Sequence, residues 1–244
     1  MIDFFAFSQR FRSFVGYHIS IATFMSERII LKTSDGVEII GDYYAVESAS
    51  ATALVLLHMM PADKNSYAAF AKKAKKAGFQ SLAIDLRGHG ESVNSVKGKL
   101  DYKNFSDEEH QKTVLDVEAA VDFFKGKGIA PEKIYFVGAS IGANLALWQL
   151  AERPEFKKAV LLSPGLNYRG IETEPTAEKL KENQAVFFVS AEGDAYSADS
   201  ARKLFDIAKS KKEIKIYGGS EHGTNLFKTN PELMEEIIRF LEEK

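Results

Sequence analysis

The chain has 244 residues, 45% of them hydrophobic, with 32 basic and 34 acidic side chains and a net charge of −2. That size and apolar content suit one α/β domain with a large core, and the balanced charge supplies no strong pull toward nucleic acid or an anionic membrane. With no cysteine, the sequence excludes disulfides, thiolate metal sites and a cysteine nucleophile together, and it fits a cytoplasmic protein.

Residues 1–24, "MIDFFAFSQRFRSFVGYHISIATF", are an aromatic-rich N-terminal extension that precedes a second methionine, Met25. Gly16, His18 and Ser20 interrupt its apolar stretch, and no small-residue cleavage site follows, which argues against a signal peptide. It is also too short and too polar to cross a bilayer, so no integral membrane segment is expected. A packed extension, an interfacial amphipathic segment and residues upstream of a start at Met25 all remain open as readings.

Residues 25–244 read as one domain of regular alternation. "RIILKT" and "VEIIGDYYAV" flank "SDG", a hairpin turn signal, and "ATALVLLHMM" is a continuous apolar strand. "NSYAAFAKKAKKAG" is a helix closed by Gly78, and "FQSLAIDLRGHGES" is a strand entering a glycine-rich loop. "SDEEHQKTVLDVEAAVDFFKGKG" predicts one long helix capped by Ser106, with His110 on its exposed side. After "IYFVGASIGANLALW" come the strands "KAVLLSPG" and "AVFFVSAEGD", the helix "ADSARKLFDIAKS", the strand "KEIKIYG" and the closing helix "NPELMEEIIRFLEEK". Strands apolar on both faces, alternating with helices, imply a mostly parallel sheet covered on both sides. In open sheets of this kind sites form at the carboxyl ends of strands, and His58, Asp85, Ser140, Asp194 and His222 all fall just past such ends.

The stretch Ile134–Trp148 passes from strand to helix across Gly138, Ala139, Ser140, Ile141 and Gly142, with no room for an ordinary loop. Such a turn lifts a serine hydroxyl above the sheet edge, with the N–H groups and positive end of the following helix beneath it. A serine in a tight turn is the plain structural alternative. A serine hydroxyl needs a base to act as nucleophile, and five histidines compete for that role. His222, in the glycine-flanked "GGSEHGTNLF" between the last strand and last helix, is the expected base. His58 is expected to orient the loop after it, and His89 to hold its own loop; His18 lies in the N-terminal extension. Asp194 is favoured over Glu192 and Asp199 as the carboxylate that orients the imidazole, because Asp199 already enters a helix as a cap. Oxyanion stabilisation needs two N–H donors: the amide of Ile141, directly after the serine, and an amide in the loop after "LVLLH", expected at Met60. The side chains of Met59 and Met60 suit an apolar acyl pocket or the core equally.

The order Ser140, Asp194, His222 with "GASIG" resembles the α/β-hydrolase superfamily from about Glu27 to the C-terminus. "LLHMMPADKNS", "AIDLRGHGES" and "GGSEHG" add to the resemblance, although Met59 stands where the family usually has glycine. It implies the α/β-hydrolase fold, a mostly parallel eight-stranded sheet flanked by helices, with the second oxyanion amide carried over to Met60. The lid position, from Gly165 to about Lys181, holds only a short polar loop, on which Tyr168 and Arg169 are candidates for substrate contact but read more readily as exposed loop residues. The compact size and "LLSPGLNYRG" resemble dienelactone-hydrolase-like and prolyl-oligopeptidase-like esterases, but the cysteine nucleophile of dienelactone hydrolases is missing. The implied activity is that of a serine carboxylesterase on small to medium acyl esters, its partner a small-molecule ester, with no metal or organic cofactor required and no nucleic acid. A thioesterase, acyltransferase or small peptidase would use the same residues, and a non-catalytic binding protein of the same fold is the alternative of another class.

Overall fold

Strands β1 (Glu27–Lys32) and β2 (Val37–Tyr44) form the antiparallel hairpin signalled by "SDG", with Gly36 at φ +84° completing the turn. The computed structural model describes residues 26–48 and 52–243, so the expectations for residues 1–24 lie outside the described residues. The remaining strands of the large sheet are β3 (Ala53–Leu57), β4 (Gln80–Ile84), β5 (Asn94–Ser95), β6 (Gly98–Lys99), β7 (Ile134–Ala139) and β8 (Lys158–Leu162). After a separate two-stranded hairpin, β9 (Asn167–Tyr168) with β10 (Ile171–Glu172), come β11 (Ala185–Ala191) and β12 (Lys211–Tyr217). The sheet runs β12-β11-β8-β7-β3-β4-β2, and all neighbours from β12 to β4 are parallel. β2 reverses direction, carrying β1 along one edge and β4 along the other.

The expected eight strands are all present. The sheet has ten because the two-residue β5 and β6 form a small hairpin beside Val37 and Glu38 of β2, too short to leave a period in the sequence.

Helices cover both faces. They are α1 (Ala68–Lys76), α2 (Asp107–Gln111), α3 (Val114–Gly126), α4 (Ile141–Glu152), α5 (Glu174–Ala177), α6 (Ala195–Ile207), α7 (Leu226–Thr229) and α8 (Leu233–Glu242). Alternate residues of each central strand serve opposite sides. Val55, Leu57 and Phe136 pack with Val121, Phe124 and Leu145 of α3 and α4, while Leu54, Leu56 and Val137 pack with Phe70 of α1 and Ile237 of α8. Fully burying each such side chain stabilises the fold by about 1.5–3 kcal/mol.

The single long helix expected from Ser106 onward is two helices. Ser106 does cap the first, with a reciprocal capping box to Glu109, but the chain turns at Lys112–Thr113 before α3 begins. The Thr113 hydroxyl (2.6 Å) and N–H (3.1 Å) both donate to the carbonyl of His110, a tight local turn that competes with continued α-helix. The break turns His110 inward: it is 2% exposed, against Phe105, and not on an exposed helix face.

Candidate active site

Ser140 is the one residue between β7 and α4. Its backbone stands at φ 56°, ψ −121°, a conformation that non-glycine residues adopt at a cost of about 1–3 kcal/mol. The turn is held from both sides. The Ser140 amide donates to the carbonyl of Leu162 on β8 (2.8 Å), and its carbonyl accepts from Ala143 (2.8 Å) and Asn144 (3.1 Å). A Cβ on Gly138 would meet the carbonyl oxygen of Gly142 at 2.0 Å, and one on Gly142 would meet that of Leu57 at 2.3 Å. Both glycines are therefore required by backbone contact. The amide of Ile141, first in the helix, has no intrahelical acceptor and is available to an anion at the serine.

Asp194 and His222 arrive from the next strands outward. The loop after β11 is tied to the loop after β12 by Glu192 N–H on the carbonyl of Tyr217 (2.8 Å) and Gly193 N–H on that of Gly219 (2.7 Å). His222 Nδ1 then donates to Asp194 Oδ2 at 2.7 Å. Glu192 and Asp199, the competing carboxylates, instead face Arg202 on the surface. Gly223 fixes the loop from beyond, its N–H donating to Ser163 Oγ (2.9 Å) at the end of β8. A Cβ on Gly223 would stand 2.6 Å from Met59 Sδ, so the His222 loop and the loop after β3 lie against each other.

The His58 imidazole sets the loop after β3. Leu86 N–H donates to its Nε2 (3.0 Å), which leaves the proton on Nδ1, and Nδ1 donates to the carbonyl of Met59 (2.8 Å). That carbonyl belongs to the same peptide plane as the Met60 N–H, so His58 orients the expected second donor. Burial holds His58 below the usual imidazole range, keeping it neutral for this task. Met59 and Met60 both pack on core clusters, one on each side of the sheet.

Tyr168 is where the expectation of an exposed loop fails. The Gly165–Lys181 segment holds the β9–β10 hairpin and α5, and Tyr168 turns inward from it. Its hydroxyl is 3.0 Å from Ser197 Oγ, which in turn lies 3.5 Å from His222 Nδ1, and its ring stands perpendicular to His222 with centroids 6.3 Å apart. Burial raises its phenol above the ordinary range, against hydrogen bonding from Ser197 and Ser140. Among the described residues no hydrogen bond joins Ser140 to His222 directly. Ser163 and Ser197 escape sequence reasoning, since two isolated serines carry no spacing signal, and for Tyr168 the sequence favours exposure over a place at the site; only the proline and glycines of "SPGLNYRG" mark the place.

A family model described as serine aminopeptidase, S33, matches residues 48–191, more than half of the chain and the whole span from β3 to the end of β11. The chain belongs to this family of α/β-hydrolases. Solved structures agree on the fold of this S33-family chain. An esterase of Pyrococcus furiosus superposes with a TM-score of 0.72 at 19% identity, covering 96% of this chain and 98% of that one. A dienelactone hydrolase from Anabaena variabilis gives 0.64 at 16% identity over 88% and 94%. An acylaminoacyl peptidase of Pyrococcus horikoshii gives 0.70 at 17% identity over 91% of this chain but only 42% of its own. No curated protein matches the sequence. Among the described residues, no helix of this S33-family hydrolase is long and apolar enough to cross a membrane.

Proposed function

We propose that the protein is a serine carboxylesterase for small to medium acyl esters, with Ser140 as nucleophile, His222 as base and Asp194 as its orienting carboxylate. The observation that carries this reading is the 2.7 Å bond from His222 Nδ1 to Asp194, beside a serine held in a strained strand-to-helix turn. With Nδ1 committed to Asp194, the other ring nitrogen is free to take a proton.

Ser140 Oγ attacks the ester carbonyl while His222 Nε2 removes its proton. The carbonyl oxygen, now an anion, accepts from the amides of Ile141 and Met60. The bond to the alcohol oxygen breaks, and that oxygen takes the proton from His222. Water then gives a proton to His222 and attacks the acyl group. The acid leaves, and Ser140 recovers its proton. The short hairpin and one-turn α5 at the lid position favour small and medium acyl chains, and the cysteine-free sequence fits a cytoplasmic setting. Amide cleavage is the second reading, favoured by the peptidase description of the matching family.

Ser140→Ala is expected to abolish turnover of p-nitrophenyl acetate and butyrate while leaving the far-ultraviolet circular dichroism unchanged. Turnover near wild type would refute the assignment. Faster cleavage of matched amino-acyl p-nitroanilides than of esters would transfer the site to the peptidase reading.

A further inference from the structure

We propose that Tyr168 and Tyr196 form the leaving-group subsite and select esters whose alcohol portion carries a planar aromatic ring; this rests on the serine hydrolase reading above. The two rings meet edge to face with centroids 5.7 Å apart, and Tyr168 meets His222 in the same manner. Both pack on Gly165, where a Cβ would come within 2.5 Å of the Tyr168 ring and 2.8 Å of the Tyr196 ring. Glycine there lets the two rings approach together.

Tyr196 is 49% exposed, unusual for an aromatic ring, yet it is not free to swing. Its hydroxyl accepts from the N–H of Asn167 (3.0 Å) and donates to the carbonyl of the same residue (3.1 Å). A solvent-facing ring locked at its far end is a preorganised stacking surface, since little freedom is lost when a ligand covers it.

The chemistry says which half of the ester lies there. The carbonyl oxygen points to the amides of Ile141 and Met60, on α4 and the loop after β3. The departing oxygen must lie at His222, which protonates it. Tyr168 borders His222, and Tyr196 continues the aromatic wall outward from α6, two residues after the carboxylate that holds the imidazole. The alcohol group is therefore the part that meets the rings.

Benzyl acetate and cyclohexylmethyl acetate have alcohols of similar size and acidity, one planar and one not. Wild type should favour the benzyl ester in kcat/KM, and Tyr196→Leu should reduce that ratio roughly 2- to 10-fold, the size of one aromatic contact. Tyr196→Phe, which keeps the ring, should retain most of the preference. An identical ratio in wild type and Tyr196→Leu would overturn the proposal. So would a preference that appears only in the acid portion, as ethyl phenylacetate over ethyl cyclohexylacetate. Turnover that survives Ser140→Ala would instead refute the underlying mechanism, a result separable from an unchanged ratio.

Discussion

His222 is distinguished from the other described histidines by what touches it. It is the only one among the described residues paired with a carboxylate, and its side chain is 33% exposed. His58, His89 and His110 are buried, and burial lowers all three below the ordinary imidazole range. His89 is held at about 3, chiefly by burial and then by the neighbouring His58, while its ring stacks 3.8 Å from Tyr102. An unfolded chain protonates His89 near 6.5, whereas the folded one resists until about 3, so the unfolded state binds more protons between these values. Stability should accordingly fall as pH drops through that window. In urea unfolding between pH 7 and 5, His89→Gln should lose less stability than wild type. Asp116, raised to about 6 by burial, acts in the opposite direction, but equally in both proteins. Parallel curves would show that His89 takes no part in acid sensitivity.

Helices, strands and hairpins differ in how far the sequence betrays them. The strand-to-helix passage through Ser140 is legible because glycines 138 and 142 answer backbone contacts that any sequence must satisfy there. The break between α2 and α3 is not, since "HQKTVLD" keeps helical periodicity and only the Thr113 back-bond and the burial of His110 reveal it. The β9–β10 hairpin is hidden for a different reason: its anchors are tertiary. Asn144 of α4, fully buried, donates to the carbonyl of Ile171 (2.8 Å) and accepts from the N–H of Gly165 (3.1 Å), clasping both ends of the segment. Replacing it with leucine strands two buried backbone groups, at about 1–3 kcal/mol each. Asn144→Leu should thus lower the unfolding free energy in urea by at least about 2 kcal/mol; a loss within 0.5 kcal/mol, the scale of an ordinary surface change, would mean that the hairpin is held by other contacts.

Across the whole molecule the sheet acts as a ruler. Parallel strands β7, β8, β11 and β12 end along one edge, so residues 140, 163, 194 and 222, far apart in the chain, are delivered to neighbouring positions. The candidate nucleophile, acid and base positions, Ser140, Asp194 and His222, stand out in the sequence because each follows a strand signal at a glycine-marked end. The groups that hold them, Ser163, Ser197 and Tyr168, depend on which strands are neighbours, and strand order is not written in any local pattern. A buried ion pair secures the same edge from the other side: Asp85 pairs with Lys64 Nζ (2.9 Å) and accepts from the backbone N–H groups of Lys64 (2.7 Å) and Glu91 (2.8 Å), tying the loop after β4 to the loop that carries Met60.

The most direct test of the central claim, that Ser140 is made reactive by His222 at this edge, is covalent labelling by a fluorophosphonate followed by intact-mass and peptide mapping. The expected result is a single adduct on Ser140, forming about 10²–10⁴-fold more slowly in His222→Ala, the range that a lost general base removes. An adduct elsewhere, no adduct at all, or equal labelling rates in the two proteins would contradict it.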